Sequence, residues 1–212
     1  MTNAINTNRL QIFSLLAVLA LLPGCATLDK DECLVADWRL IGYQDGVAGK
    51  SSAALGTYRK DCAKHAVVPD LDSYQAGRAE GLLEYCKADN GYRLGSSGRG
   101  FSAVCPSHLE SEFRAAYDRG REIYLARSAV KTTRARIYQH QQDLQDLEAD
   151  KGAKLAELIA DGLRAEQRVL ILYEISELEQ EMHSVEDEID VLEYDLSSQQ
   201  AHLDSLTQHA LR

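Results

Sequence analysis

Five of the 212 residues are cysteines, and their surroundings assign them two different chemistries. Cys25 closes the run Leu22-Pro23-Gly24-Cys25 directly after the apolar stretch Leu10 to Leu22. An n-region carrying Arg9, a short apolar core and a small residue before Cys is the layout of a bacterial lipoprotein signal peptide. The chemistry expected at Cys25 is therefore cleavage of residues 1–24 and acylation, with diacylglycerol and an N-linked palmitate-type chain as the only non-protein groups. The apolar stretch falls short of the roughly 20 residues that span a bilayer as a helix. Pro23 stands where such signals more often carry Ala, Ser or Thr. Ala26 is not the Asp of an inner-membrane retention signal, so the expected location is the outer membrane, facing the periplasm.

Cys33, Cys62, Cys86 and Cys105 remain, an even number in an oxidising compartment, and they read as two disulfides. Their successive spacings of 29, 24 and 19 residues contain no C-x-x-C pair. Cys105 and His108 form one C-x-x-H pair without a second, so no metal site is expected. Of the three connectivities available, Cys33 with Cys62 and Cys86 with Cys105 close the shortest loops. Each such bridge contributes about 2–4 kcal/mol, chiefly by restricting the unfolded chain.

Other reactive constellations are thin. His65, His108, His140, His183, His202 and His209 are scattered, and neither G-x-S-x-G nor H-E-x-x-H occurs. Asp37, Asp45 and Glu80 read as helix-capping and salt-bridging residues, so no catalytic residue and no enzymatic activity is expected. The segment Asn90 to Phe101 reads as a Gly/Ser-rich surface loop. Its Tyr92, Arg93 and Arg99 are the candidates for holding a phosphate or glycan, although the segment lacks the G-K-[ST] ending of a P-loop.

The elements that position these residues divide by charge. From Cys25 to Gln139 there are 17 Lys and Arg against 15 Asp and Glu; from His140 to Arg212 there are 5 against 18. This predicts an all-α protein: a small disulfide-stapled helical domain over 25–127, then an acidic helical arm over 128–212. Within the domain an aromatic residue is followed three times by small residues at steps of three and four. The copies are Trp38, Gly42, Gly46, Gly49; Tyr74, Gly77, Gly81; and Phe113, Ala116, Gly120, Tyr124. Such steps keep residues on one helical face. An interior Gly costs about 1 kcal/mol relative to Ala, which close helix-helix approach would offset; the alternative is that some of these glycines are C-caps.

These residues together resemble a known family. The runs Cys33-Leu34-Val35-Ala36-Asp37-Trp38, Ile41-Gly42-Tyr43-Gln44-Asp45-Gly46 and Tyr74-Gln75-Ala76-Gly77-Arg78-Ala79-Glu80-Gly81-Leu82 come first. Tyr85-Cys86, Asn90-Gly91-Tyr92, Val104-Cys105-Pro106 and Ala116-Tyr117-Asp118-Arg119-Gly120 follow in order. The set resembles the DUF2799 family of proteobacterial lipoproteins over about residues 25–127. The resemblance implies no activity and brings no catalytic residues.

In the arm, Ile175, Leu178, Met182, Val185, Ile189, Leu192, Leu196 and Leu203 recur at coiled-coil steps, with Gln199, Leu206 and Ala210 continuing the stripe. Ile137, Leu144 and Leu147 give a shorter seam, and register is lost between Gly152 and Gly162. The pattern predicts one helix from near Ser107 to about Asp150 and another from about Arg164 to the C-terminus. They would form either an antiparallel hairpin or a longer dimeric coiled coil. The acidity argues against nucleic acid and anionic lipid as partners of the arm. The expected role is a structural or docking one toward an envelope protein or a second copy; the alternative is a cell-wall module that binds peptidoglycan or another glycan through residues 90–101.

Overall fold

The structure, a computed structural model, describes residues 28–210. The expected signal segment, residues 1–24, and the expected acylation site Cys25 lie outside the described residues. Among the described residues seven helices follow one another: α1 (Lys30–Val35), α2 (Trp38–Val47), α3 (Ala54–Ala63), α4 (Leu71–Tyr85), α5 (Ala88–Ser96), α6 (Ser107–Leu158) and α7 (Ala165–Ala210). The all-α expectation holds among the described residues. No helix among them is long and apolar enough to cross a membrane.

The chain separates into two compact units. One contains the described residues up to Tyr85 with Ser102–Pro106, the other Cys86–Phe101 with everything from Ser107 onward. Helix α6 runs through position 127 without a break, so α5 and the start of α6 belong with the arm rather than with the preceding helices.

In the first unit the helix starts are written in the sequence. Asp29 accepts from the Glu32 backbone N–H at 2.9 Å while the Glu32 side chain accepts from the Asp29 N–H at 2.8 Å, a reciprocal cap for α1. Asp37 accepts from the Leu40 N–H at 3.0 Å at the start of α2. Asp70 accepts from the Ser73 N–H at 3.0 Å and its hydroxyl at 2.8 Å ahead of α4. The Ser73 backbone and side-chain bonds hold the Asp70 carboxyl below its ordinary value. Cys33 and Cys62 form a disulfide between α1 and α3 with Cα atoms 5.5 Å apart, as the local pairing predicts. Cys86 and Cys105 are each disulfide-bonded as well. The first bridge lies in a core with Trp38, Leu55, Tyr58 and Tyr74. Rings of Trp38 and Tyr58 are 6.4 Å apart, and those of Tyr58 and Tyr74 meet edge-on at 6.2 Å.

In the second unit α6 and α7 fold back as an antiparallel hairpin. Thr133 donates to Gln199 at 2.9 Å and Arg134 to Gln200 at 3.0 Å, while Lys151 pairs with Glu179 and Lys154 with Glu174, each at 2.6 Å. The partner numbers fall on α7 as they rise on α6, which fixes the antiparallel sense. Helix α6 continues past Gly152 and ends at Leu158, beyond the end near Asp150 that loss of register predicts. The turn follows, with Gly162 at φ +85, and the Arg168 guanidinium donates to the Leu158 and Ala160 carbonyls left open at the end of α6.

Candidate functional site

Helices α2 and α4 pack side by side through glycine. A Cβ at Gly42 would overlap the Tyr74 carbonyl, one at Gly46 the Arg78 carbonyl, and ones at Gly77 and Gly81 the Arg39 and Tyr43 carbonyls. Contact positions rise together on both helices, so the pair is parallel. The two G-x-x-x-G stripes therefore meet backbone to backbone, with Cα–H groups facing carbonyls, and the close approach offsets the cost of glycine within a helix.

Gly49 departs from the stripe expected for it. It sits past the end of α2 at φ +68, with the Tyr85 ring packed where its Cβ would be. The Tyr85 hydroxyl accepts from the Ser102 N–H at 2.9 Å.

The segment 90–101, read above as a loop, is half helix. Gly91 and Gly95 lie in α5 and meet the Phe113 and Tyr117 carbonyls of α6, while Gly120 meets that of Tyr92. Glycines four apart share a helical face and here let a second helix approach, which the Gly/Ser content alone does not distinguish from a turn. Non-helical chain begins at Ser97. Residues 90–96 thus lie within a helix rather than a loop. Tyr92 lines a shallow cavity with Asp89 and Arg119, Arg93 donates to Asn90 of its own helix at 2.6 Å, and Arg99 is exposed beyond the helix end. They do not form one binding constellation.

Past α5, Gly98 has φ +74 and the Tyr124 ring packs against it. The ending of α5 repeats that of α2 bond for bond. Gly49 donates to Gly46 and Gly98 to Gly95, each at 2.9 Å; Lys50 donates to Asp45 at 2.9 Å and Arg99 to Leu94 at 3.0 Å. The sequences agree as well: Gly42-Tyr43, Gly46 and Gly49 correspond to Gly91-Tyr92, Gly95 and Gly98. Tyr74, Gly77, Gly81 and Tyr85 correspond to Phe113, Ala116, Gly120 and Tyr124. What sequence reading separates into three stripes and a loop is one helix-pair motif present twice. The G-Y-x-x-G-x-x-G spacing could have revealed it.

Three positions buried in both copies differ: Gly77 against Ala116 within the stripe, Asp45 against Leu94, and Tyr74 against Phe113. In the first copy, Asp45 is 3 % exposed and accepts from the Tyr74 hydroxyl at 2.8 Å and the Tyr58 hydroxyl at 3.0 Å, with Lys50 Nζ at 2.8 Å. Burial and the bond to Asp45 push the Tyr74 and Tyr58 hydroxyls above their ordinary value, and the bond to Asp45 raises Lys50. In the second copy the corresponding positions are Leu94 and Phe113, both buried. Asp45 is therefore neither cap nor surface ion pair, whereas Asp37 is a cap and Glu80 pairs with Arg39 at the surface. These three carboxylates serve different ends.

The seam residues fall where the heptads place them. Ile175 and Leu192 are buried, and Leu178, Met182, Val185, Ile189, Leu196 and Leu203 are half-buried against α6, since two helices alone cover an apolar stripe incompletely. Ile171 extends the seam by one turn. The outer surface of α7 is the more distinctive feature. Twelve Asp and Glu face one Arg along its length, while residues 128–158 of α6 carry five of each sign. Val169, Leu170, Leu172, Tyr173, Val191 and Tyr194 are exposed among those acids. Tyr173 and Val191, five turns apart, share the face opposite the seam.

Residues 37–122 match the model of the family DUF2799, described as a protein of unknown function. That segment spans both copies of the helix-pair motif up to Glu122, and the match agrees with the resemblance its motifs carry. No curated protein and no solved structure matches the chain.

Proposed function

We propose that this chain is a lipoprotein of the outer membrane, facing the periplasm, whose acidic hairpin docks an envelope protein. Acylation at Cys25 tethers the N-terminal side, and the glycine-packed pair of α5 with the start of α6 leads directly into the long hairpin. At 1.5 Å per residue the 46 residues of α7 extend about 69 Å. The observation that carries the docking role is the outer face of α7, where exposed Tyr173, Val191 and Tyr194 lie on a strongly acidic helix, with Asp187 and Asp190 exposed beside Val191. Such a surface suits a partner that is itself amphipathic and basic, with electrostatics setting encounter and apolar contact setting residence.

Two measurements test this reading. Palmitate labelling of cells that express the full chain should mark it and should fail with Cys25→Ser; an unlabelled wild-type chain would remove the tether. Co-purification of a partner with the tethered chain should weaken with rising salt and with Val191→Ser and Tyr194→Ser, which leave the seam intact. A partner retained by these variants but lost on deletion of the helix pairs would place docking elsewhere.

A further inference from the structure

Two similar helix pairs in one chain pose a pairing problem. Helix α2 meets α4, and α5 meets the start of α6, through glycine stripes that contact backbone carbonyls. Backbone carbonyls are the same on every helix, so toward a partner the stripes differ only at Gly77, where the second copy has Ala116. We propose that the buried side chains at two positions, Asp45 with Tyr74 in one copy and Leu94 with Phe113 in the other, form a matching code that selects helix partners.

The chemistry of a mismatch supports this. Pairing α2 with α6 would set Asp45 against Phe113, and the carboxylate would lose the Tyr74 donor that lies 2.8 Å away. Pairing α5 with α4 would set the Tyr74 hydroxyl against Leu94, with no acceptor. A buried group stripped of its partner costs its full desolvation penalty, about 1–3 kcal/mol and more for a charged group. Two such penalties arise from one wrong assembly, whereas correct assembly leaves none: no buried side-chain polar atom among the described residues lacks a partner. Specificity by penalising the alternative is an established use of buried polar groups. Tyr58 and Lys50 on the same carboxylate raise the stakes without supplying the code, because both are local to Asp45 in sequence and would follow it.

The ion pair of Arg39 with Glu80 offers a readout, since it spans α2 and α4. In the full mature chain carrying Arg39→Lys, a carbodiimide should join positions 39 and 80 by an amide bond, scored by peptide mapping. Exchange of the hydroxyl, Tyr74→Phe with Phe113→Tyr, moves one oxygen between rings of the same shape and offers Asp45 a donor only on the wrong helix. The 39–80 link should then fall about tenfold, the factor that corresponds to about 1.4 kcal/mol, while circular dichroism still reports a helical chain. Tyr74→Phe alone leaves Asp45 facing a phenylalanine on either helix and should lower the link by no more than about twofold. Unchanged linkage in the exchanged variant, or equal loss in both variants, would overturn the code. Light scattering on the exchanged variant reads whether re-pairing occurs within one chain or between two copies.

Discussion

The Tyr74 hydroxyl donates to the Asp45 carboxylate at 2.8 Å across the α2–α4 interface, joining residues 29 positions apart in the sequence. Hydrogen bonds to a charged group contribute about 1.5–3 kcal/mol. Tyr74→Phe should therefore lower the unfolding free energy by about that amount in urea titrations. Asp45→Ala strands the two buried tyrosine hydroxyls, at about 1–3 kcal/mol for each, and should cost more than Tyr74→Phe in the same titration.

Stability should also fall in alkali. Tyr58 and Tyr74 are raised above the ordinary tyrosine value of 10.0, mainly by burial. The unfolded chain then releases these protons at lower pH than the folded chain, so their stabilisation is complete below about pH 10 and is lost as pH rises beyond it. Lys50, raised through Asp45, acts in the same direction over the same range. Thermal melts from pH 8 upward should show a decline starting near pH 10 that becomes shallower in Tyr74→Phe.

Much of this was legible in the residues. The cap at Asp37, the start of α6 at Ser107 and the α7 seam follow from local chemistry and from periodicity. The local pairing of Cys33 with Cys62 follows from loop length. Residues 90–101 did not yield to the same reasoning, because glycine serves turns and close helix contacts alike and only the neighbour distinguishes them. Asp45 was visible as a carboxylate beside a glycine stripe. Its burial became legible only through Tyr58 and Tyr74, which approach it from two other helices.

Glycines should divide sharply by position. Gly42→Ala and Gly95→Ala each place a methyl group against a carbonyl of the facing helix, and overpacking of this kind costs about 1–3 kcal/mol. Gly56 and Gly152 are helical with nothing near their would-be Cβ atoms. Gly56→Ala and Gly152→Ala should stabilise by about 0.5–1 kcal/mol. Denaturant midpoints of the four variants, measured side by side, check both signs.

Seam and surface of α7 should respond differently. Leu192→Ala removes a buried seam side chain and should cost about 2–5 kcal/mol. Tyr194→Ser alters an exposed position and should change stability by no more than about 0.5 kcal/mol. Chemical denaturation of each variant separates the two cases.

Docking by the acidic outer face of α7 is tested most directly by a photoreactive residue introduced at Val191 in the full, membrane-tethered chain, with the adduct mapped by mass spectrometry. The account predicts an adduct with one envelope protein, at a segment rich in Lys and Arg, that is lost when Glu186→Gln, Asp187→Asn and Asp190→Asn are combined. Absence of an adduct, an adduct at an acidic segment, or one indifferent to these substitutions would contradict it.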